Sequence, residues 1–99
     1  MVIWVGEFGR APVVNGSVGR DHHPFCYSGF LAGGPIRGGQ TYGTSDARAH
    51  YPDAFPVSPQ DFMSTVLLAM GVEEETTIPD RIGRPQRLHG GKPIRELLF

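Results

Sequence analysis

The sequence has little cysteine and lysine and no long apolar run. One cysteine, Cys26, among 99 residues excludes an internal disulfide and leaves the redox compartment open. Lys92 is the only lysine beside eight arginines, and ten acidic residues bring the formal net charge to −1. This balance gives no sign of a nucleic-acid or acidic-lipid partner. No apolar run approaches the roughly 20 residues of a spanning helix, so no membrane span is predicted.

Glycine and proline, by contrast, are abundant. The chain has 14 glycines and 9 prolines and is 39% hydrophobic, which predicts a loop-rich protein with enough scattered apolar segments to argue against disorder. At this length it is at most one small domain with a limited core. The preference for arginine over lysine suits bidentate binding of phosphates or carboxylates, although genomic base composition explains it equally well.

The N-terminal segment predicts a buried strand. Val2-Ile3-Trp4-Val5 is apolar at consecutive positions, which is typical of a strand covered on both faces in a parallel sheet between helices. A parallel strand needs neighbours joined by crossovers of a dozen or more residues, and the chain offers few other strands. We therefore expect residues 1–99 to be the C-terminal, incomplete portion of one larger α/β domain; a small independent domain is the alternative.

The remaining chain predicts few further strands. A second strand is expected over 25–32 and a short edge strand over 36–42. Two long loops, residues 9–24 and 43–57, are interpreted as walls of a pocket, because long loops in compact domains are commonly functional. The tail, residues 76–99, is expected to be irregular apart from an apolar helical turn or short strand at its end.

One helix is clearly predicted, over about residues 58–70. Ser58 suits the N-cap, Pro59 the first turn, and Asp61 the positive end of the helix dipole. Gly71 is the expected terminator. Apolar residues recur at helical spacing on one face, namely Phe62, Val66, Ala69 and Met70, with Met63 and Leu67 beside them.

Charged and imidazole side chains cluster shortly after the first predicted strand. Ligands bind at the carboxyl ends of strands in open α/β sheets, which makes this segment a site candidate. Carboxylate and imidazole together suit zinc, manganese or iron(II). Adjacent residues on an extended chain point apart, so one of the two histidines is a candidate ligand and the other a packing or pocket-wall residue. The cluster comprises Glu7, Arg10, Arg20, Asp21, His22 and His23, with His50 and Asp53 as more distant candidates.

Each of these residues also has a structural interpretation. Arg10 and Arg20 suit the gripping of an oxyanion, and they equally suit tying the loop to Glu7 and Asp21 through ion pairs. The histidines are then ordinary polar residues. Cys26 is expected to be a buried small hydrophobe. Three further loop residues are expected to be solvated: His50, Asp53 and His89.

Eight short motifs spread over the chain, from Gly6-Glu7-Phe8-Gly9-Arg10-Ala11-Pro12 onwards, carry a family resemblance. They lie at residues 6–12, 19–24, 31–34, 38–46, 51–52, 56–61, 81–85 and 90–94. In this order they resemble the C-terminal end of the bacterial DUF1501 family, which is grouped with the alkaline phosphatase and sulfatase superfamily. The resemblance implies a large α/β sandwich with a mostly parallel central sheet.

The resemblance also implies a chemistry. Superfamily members hold one or two divalent metal ions beside a Ser, Thr or modified Cys nucleophile and transfer phosphoryl or sulfuryl groups. By position, Glu7 resembles the Asp of a metal-ligating Asp-His pair, and His22, following Asp21, resembles a later metal-ligating His. Zinc, or manganese or calcium, is the implied ion, with Arg10 or Arg20 stabilising charge on the transferring group. This chain departs from the family pattern at three positions: Phe8 replaces the His of the pair, Ala11 a Thr, and His23 a Trp.

Two functions follow as expectations. The first is a metal-dependent hydrolase of phosphate or sulfate esters, whose nucleophile and remaining ligands lie upstream in the N-terminal part of the same domain, so that residues 1–99 alone are inactive. The alternative, favoured by Phe8, is a non-catalytic binding or cell-surface module that retains the fold. Family resemblance further implies export to the periplasm or cell exterior.

Overall fold

The computed structural model describes residues 1–99 as a small mixed α/β fold in which every strand pair is antiparallel. The pairs are β1–β4, β2–β3, β5–β6 and β7–β8. The chain divides into two compact units: a first unit of Met1–Gly33 and Gly38–Pro56, and a second unit of Gly34–Arg37 and Val57–Phe99. The elements are β1 (Val2–Val5), β2 (Gly9–Arg10), β3 (His22–His23), β4 (Gly29–Ala32), β5 (Thr44–Ser45), β6 (Pro52–Ala54), α1 (Pro59–Ala69), β7 (Thr77–Pro79), β8 (Pro85–Arg87) and a 3₁₀ turn, Arg95–Leu97.

The predicted first strand forms, but its partner lies antiparallel to it. In the β1–β4 pair Val5 lies opposite Gly29 and Trp4 opposite Phe30, whose rings stack with centroids 5.7 Å apart. The four side chains of β1 are between 43% and 60% exposed, so residues 1–99 do not themselves supply the expected burial on both faces. The second strand is shorter than the predicted span 25–32, since only Gly29–Ala32 reaches β1.

Both predicted long loops contain short strand pairs. Residues 9–24 include the β2–β3 ladder, which the Ala11 N–H extends by donating to the Asp21 carbonyl at 2.9 Å. Residues 43–57 include the β5–β6 pair, where Gly43 has a φ of +79° and a Cβ there would lie 2.9 Å from the Phe55 carbonyl oxygen. The two segments predicted as long loops therefore contain strands that the sequence did not reveal, because two-residue strands leave too little pattern to be detected.

The predicted helix is confirmed, together with its start and stop signals. Ser58 is the N-cap, and its hydroxyl accepts from the Asp61 N–H at 3.1 Å while the Asp61 carboxylate accepts from the Ser58 N–H, which completes a capping box. At the other end Gly71 has a φ of +88°, and the Gly71 and Val72 N–H groups donate to the Leu68 and Leu67 carbonyls. This pair of bonds is a Schellman motif.

The second unit holds all the buried side chains of the molecule. Ile36, Val66 and Ile94 form its apolar core, and Ser64 and Thr65 on α1 are fully buried. Thr65 donates from its hydroxyl to the Asp61 carbonyl and accepts from the Ile94 N–H at 2.9 Å, which satisfies that hydroxyl in the core.

The edge strand predicted over 36–42 does not form. Ile36 instead makes an isolated antiparallel bridge to Leu98, and the Arg37 N–H donates to the Leu97 carbonyl at 2.8 Å. The partner is some 60 residues away in sequence, and a local pattern does not reveal it. The last apolar segment contains the predicted helical turn, as 3₁₀ helix, and then this bridge.

The tail is more regular than predicted. β7 and β8 form a hairpin in which Thr77 lies opposite Arg87 and Pro79 opposite Pro85. Its turn is closed by the Asp80 carboxylate, which accepts from two backbone N–H groups at 2.9 Å, and by Gly83 with a φ of +81°.

The chain also contains no helix with the length and apolar character needed to cross a membrane.

Candidate functional site

The β2–β3 ladder places the candidate residues on its two faces. Arg10 lies opposite His22, and Gly9 lies opposite His23. Directly paired residues project to the same face of a ladder, and successive residues project to opposite faces. Arg10 and His22 therefore share one face and His23 takes the other, in agreement with the predicted divergence of the two histidines. A Cβ at Gly9 would lie 2.5 Å from the Cys26 carbonyl oxygen, so glycine permits this close packing.

An aromatic ring joins Arg10 and His22 on their shared face. The Phe8 ring lies against the His22 ring, with centroids 4.0 Å apart, and the Arg10 guanidinium carbon lies over the Phe8 ring at 5.8 Å. Phe8 is half-buried, whereas Arg10 and His22 are exposed. We call these three residues the Phe8 face. It presents a guanidinium and an imidazole to solvent beside an apolar support.

His23, on the opposite face, has a packing role. Its Nε2 lies 2.6 Å from the His50 carbonyl oxygen. A carbonyl only accepts, so Nε2 carries the proton. The ring also contacts Phe25 at 5.5 Å and Tyr51 at 6.4 Å between centroids. His50, which was expected to be a solvated loop residue, takes part in this cluster, with its ring 6.0 Å from that of His23.

Asp46 fixes the turn that carries His50 and Tyr51. Its carboxylate accepts from the His50 and Arg48 N–H groups at 2.9 Å and from the Tyr51 N–H at 3.1 Å. The bond from the His50 N–H is the main reason that the pKa of the Asp46 carboxyl lies below its usual range. Asp53, the other acidic candidate of this region, lies exposed in β6.

Arg20 ties its own loop together. The guanidinium donates from Nη1 to the Ala11 carbonyl at 2.8 Å and to the Pro12 carbonyl at 2.7 Å. The interpretation in which arginine holds the loop is thus the one observed for Arg20, with carbonyls as the acceptors in place of carboxylates. Arg10 makes only a long contact, 3.4 Å, to the Arg20 carbonyl and leaves most of its donors open.

Asp21 is also engaged within the loop. Its Oδ1 accepts from Asn15 Nδ2 at 2.9 Å, and Asn15 Oδ1 accepts from the Ser17 and Gly19 N–H groups. The expected ion pairs of Arg20 or Arg10 with Asp21 or Glu7 do not occur. The Arg20 guanidinium donates to carbonyl oxygens, and the Asp21 carboxylate accepts from an amide.

The metal ligands suggested by the sequence do not converge. No three His, Cys, Asp or Glu side chains of the chain are grouped so that they could hold an ion. Glu7, Asp21 and His22 have donor atoms that suit zinc, but His22 packs on Phe8 and Asp21 accepts from Asn15. These residues therefore do not make a complete metal centre, and an ion in this region would depend on ligands outside residues 1–99.

The sequence did not reveal the environment of a further histidine, His89. His89 was expected to be solvated, yet its Nδ1 lies 2.8 Å from the Ser64 hydroxyl and its Nε2 is buried without a partner. No local pattern could reveal this pair, because the two residues are 25 positions apart and Ser64 lies in the helix core. The fully buried Ser64 hydroxyl is not accessible as a nucleophile.

Comparison with known proteins finds one family. The family model described as "Protein of unknown function (DUF1501)" matches residues 1–98, almost the whole chain. No curated protein and no solved structure matches the chain.

Proposed function

The chain belongs to the DUF1501 family, whose function is not established. From the geometry of the chain we propose that it forms part of a hydrolase-like protein that acts on phosphate or sulfate esters. The observation that carries this proposal is the pairing of Arg10 with His22 on one exposed face, a few residues after β1 ends. Guanidinium and imidazole N–H groups are the donors that the oxygens of such esters accept from.

The proposal includes a larger fold of the alkaline-phosphatase and sulfatase kind, an α/β sandwich with a mostly parallel sheet. Its support is the β1–β4 pair, whose apolar side chains project from both faces and are largely exposed. A two-stranded ribbon alone is only marginally stable, and further strands or helices would cover these faces. Residues outside this chain would supply those layers and the nucleophile.

Within this arrangement the residues of the first unit have different tasks. Arg10 binds an oxygen of the ester and stabilises the charge that develops on the transferring group. Arg20 and Asp21 are positioning residues, because their side chains hold the loop between β2 and β3. A divalent ion, whether zinc, manganese or calcium, would need ligands from outside the chain.

A non-catalytic binding or cell-surface module is the second candidate. The observation in its favour is Phe8, whose ring packs against His22 with centroids 4.0 Å apart. Phe8 stands at the position where the resemblance to the sulfatase superfamily implies a metal-ligating histidine. Such a module would bind the ester or a related anion and release it unchanged.

The test is an assay of the protein at its natural length with aryl phosphate and aryl sulfate esters, with each divalent ion added in turn. We expect turnover, and we expect Arg10→Ala to lower kcat/KM at least about tenfold, since one charge-stabilising donor is lost. Arg48→Ala, which removes an exposed arginine of a different loop, is the control. No turnover under any condition would reject the hydrolase and favour the binding module.

A further inference from the structure

We propose that Arg10 and His22 bind a tetrahedral oxyanion directly, as a pair of N–H donors, and that His22 is not a metal ligand. The inference rests on the proposed function in one respect, the choice of phosphate or sulfate as the anion. It departs from the role that family resemblance implies for His22, and it follows from three features of the Phe8 face.

The first feature is register. Arg10 and His22 are direct partners in the β2–β3 ladder, so their Cβ atoms lie about 5 Å apart on one face. Both side chains are exposed, so a phosphate or sulfate ion from solvent has access to each of them. Arginine presents several donors in a planar fork, which matches the edge of such an anion.

The second feature is charge. The Arg10 guanidinium lies on the same face as the His22 ring, so it repels a divalent cation bound there and attracts an anion. The Arg10 guanidinium contacts the Phe8 ring and the Arg20 carbonyl, and neither of these neutralises its charge. The pair thus discriminates against the ligand that family resemblance implies and favours an anion.

The third feature is the surroundings of the imidazole. The Phe8 ring covers one side of His22 at 4.0 Å, and no two further ligand side chains stand close enough to complete a metal site with it. Zinc needs at least three protein ligands in a catalytic site. An imidazole N–H can donate to an anion without further ligand side chains beside it. Packing against Phe8 also restricts the orientation of the His22 ring before the anion binds.

The loop that carries His22 is also built to hold this geometry. Arg20 and Asp21, the two residues that precede His22, form hydrogen bonds within the loop, to Ala11 and Pro12 and to Asn15. Since the Arg20 guanidinium donates to these backbone carbonyls, the side-chain donors of this segment that remain for a ligand are Arg10 and His22.

The experiment is isothermal titration calorimetry on the protein at its natural length, in buffer containing a chelator. One arm uses inorganic phosphate, a second uses phenylphosphonate, and a third, without chelator, uses Zn²⁺ alone. We expect saturable phosphate binding that Arg10→Gln and His22→Asn each weaken about tenfold or more, while Arg48→Gln leaves it unchanged. Tighter binding of phenylphosphonate than of phosphate would indicate that the natural ligand is a phosphate group attached to an organic group. Equal binding would indicate that free phosphate is a sufficient ligand.

Two results would overturn the inference. One is phosphate binding that is absent in the wild type or is unchanged in either Arg10→Gln or His22→Asn. The other is Zn²⁺ binding that His22→Asn removes. Arg10→Lys, which keeps the charge but loses the fork, separates binding from misfolding, because it should recover part of the affinity that Arg10→Gln loses. The proposed function fails separately: intact phosphate binding without ester turnover would reject the hydrolase alone.

Discussion

The two units of the chain are ordered by different means. The second unit encloses every buried side chain of the molecule around α1, including Ile36, Val66 and Ile94. The first unit encloses none, and its six strands, β1 to β6, pair in three short ladders. The first unit nevertheless carries the Phe8 face. The candidate site therefore lies in the part of the chain that has no core of its own.

Hydrogen bonds from side chains to the backbone replace a core in the first unit. Arg20, Asn15, Asp46 and His23 each bond to main-chain groups of the same unit. Such bonds define loop geometry, but each contributes only about 1 kcal/mol net in exposed positions. Stability in the second unit comes instead from apolar burial and helix capping, so substitutions there should have the larger effects.

The largest effect is expected at Gly91 in the second unit. A Cβ at this position would lie 2.2 Å from the Gln60 backbone, so Gly91→Ala must displace the tail from the start of α1. We expect a loss of about 2–3 kcal/mol, the upper range for overpacking, in the free energy of opening of α1 measured by amide hydrogen exchange. Gly90→Ala is the matched control, because its Cβ would meet nothing within 4 Å. Equal effects of the two substitutions would contradict this packing.

Asp61 should give the next largest effect. Its carboxylate accepts from Ser58 and, at 2.7 Å, from the Lys92 N–H, so it joins the cap of α1 to the tail. We expect Asp61→Ala to cost about 2 kcal/mol through the lost cap and an unpaired N–H, as measured by exchange of the α1 amides. Glu73→Ala, at an exposed position of the same unit, should change little. A loss below about 0.5 kcal/mol at Asp61 would show that the cap is dispensable.

Acid should reproduce part of that loss. The Lys92 N–H and the Ser58 hydroxyl hold the pKa of the Asp61 carboxyl below its usual range. A depressed folded-state pKa stabilises the fold fully above the unfolded pKa of about 4 and progressively less as pH falls towards the folded-state pKa. Exchange of the α1 amides, corrected for intrinsic rates, should accelerate below about pH 4 in the wild type and less so in Asp61→Asn. A pH response identical in the two proteins would reject Asp61 as the titrating group.

The smallest effect is expected in the first unit. Arg20→Ala removes two bonds to the Ala11 and Pro12 carbonyls, which we expect to cost about 1 kcal/mol and to be confined to the β2–β3 ladder. The Ala11 amide, which bonds to the Asp21 carbonyl, reports the change by faster exchange. The control is Arg48→Ala. If Arg20→Ala accelerated exchange of the α1 amides as much as that of the Ala11 amide, the two units would unfold together. That result would contradict the difference in stability between the units.

The sequence predicted the parts of the fold that depend on neighbouring residues. The bounds of α1 follow from Ser58, Pro59, Asp61 and Gly71, whose effects act within one turn of the helix. The divergence of His22 and His23 follows from the period of an extended chain.

Pairings between distant residues could not be predicted in this way. The antiparallel match of β1 with β4, the bridge from Ile36 to Leu98 and the contact of His89 with Ser64 all join residues at least 24 positions apart. In the candidate site, the sequence identified Arg20 as a residue of interest but not the groups that accept its hydrogen bonds, since these depend on the path of the loop. The local sequence pattern does not distinguish carboxylate partners from carbonyl partners.

Residue-resolved amide hydrogen exchange of residues 1–99 tests the difference between the units most directly. We predict that the hydrogen-bonded amides of α1 exchange more than about tenfold more slowly, relative to their intrinsic rates, than those of the β1–β4 pair, because only α1 is anchored in a buried core. Equal or stronger protection of the β1–β4 amides would contradict the account, since it would show that the first unit has a stability that its exposed apolar faces do not explain.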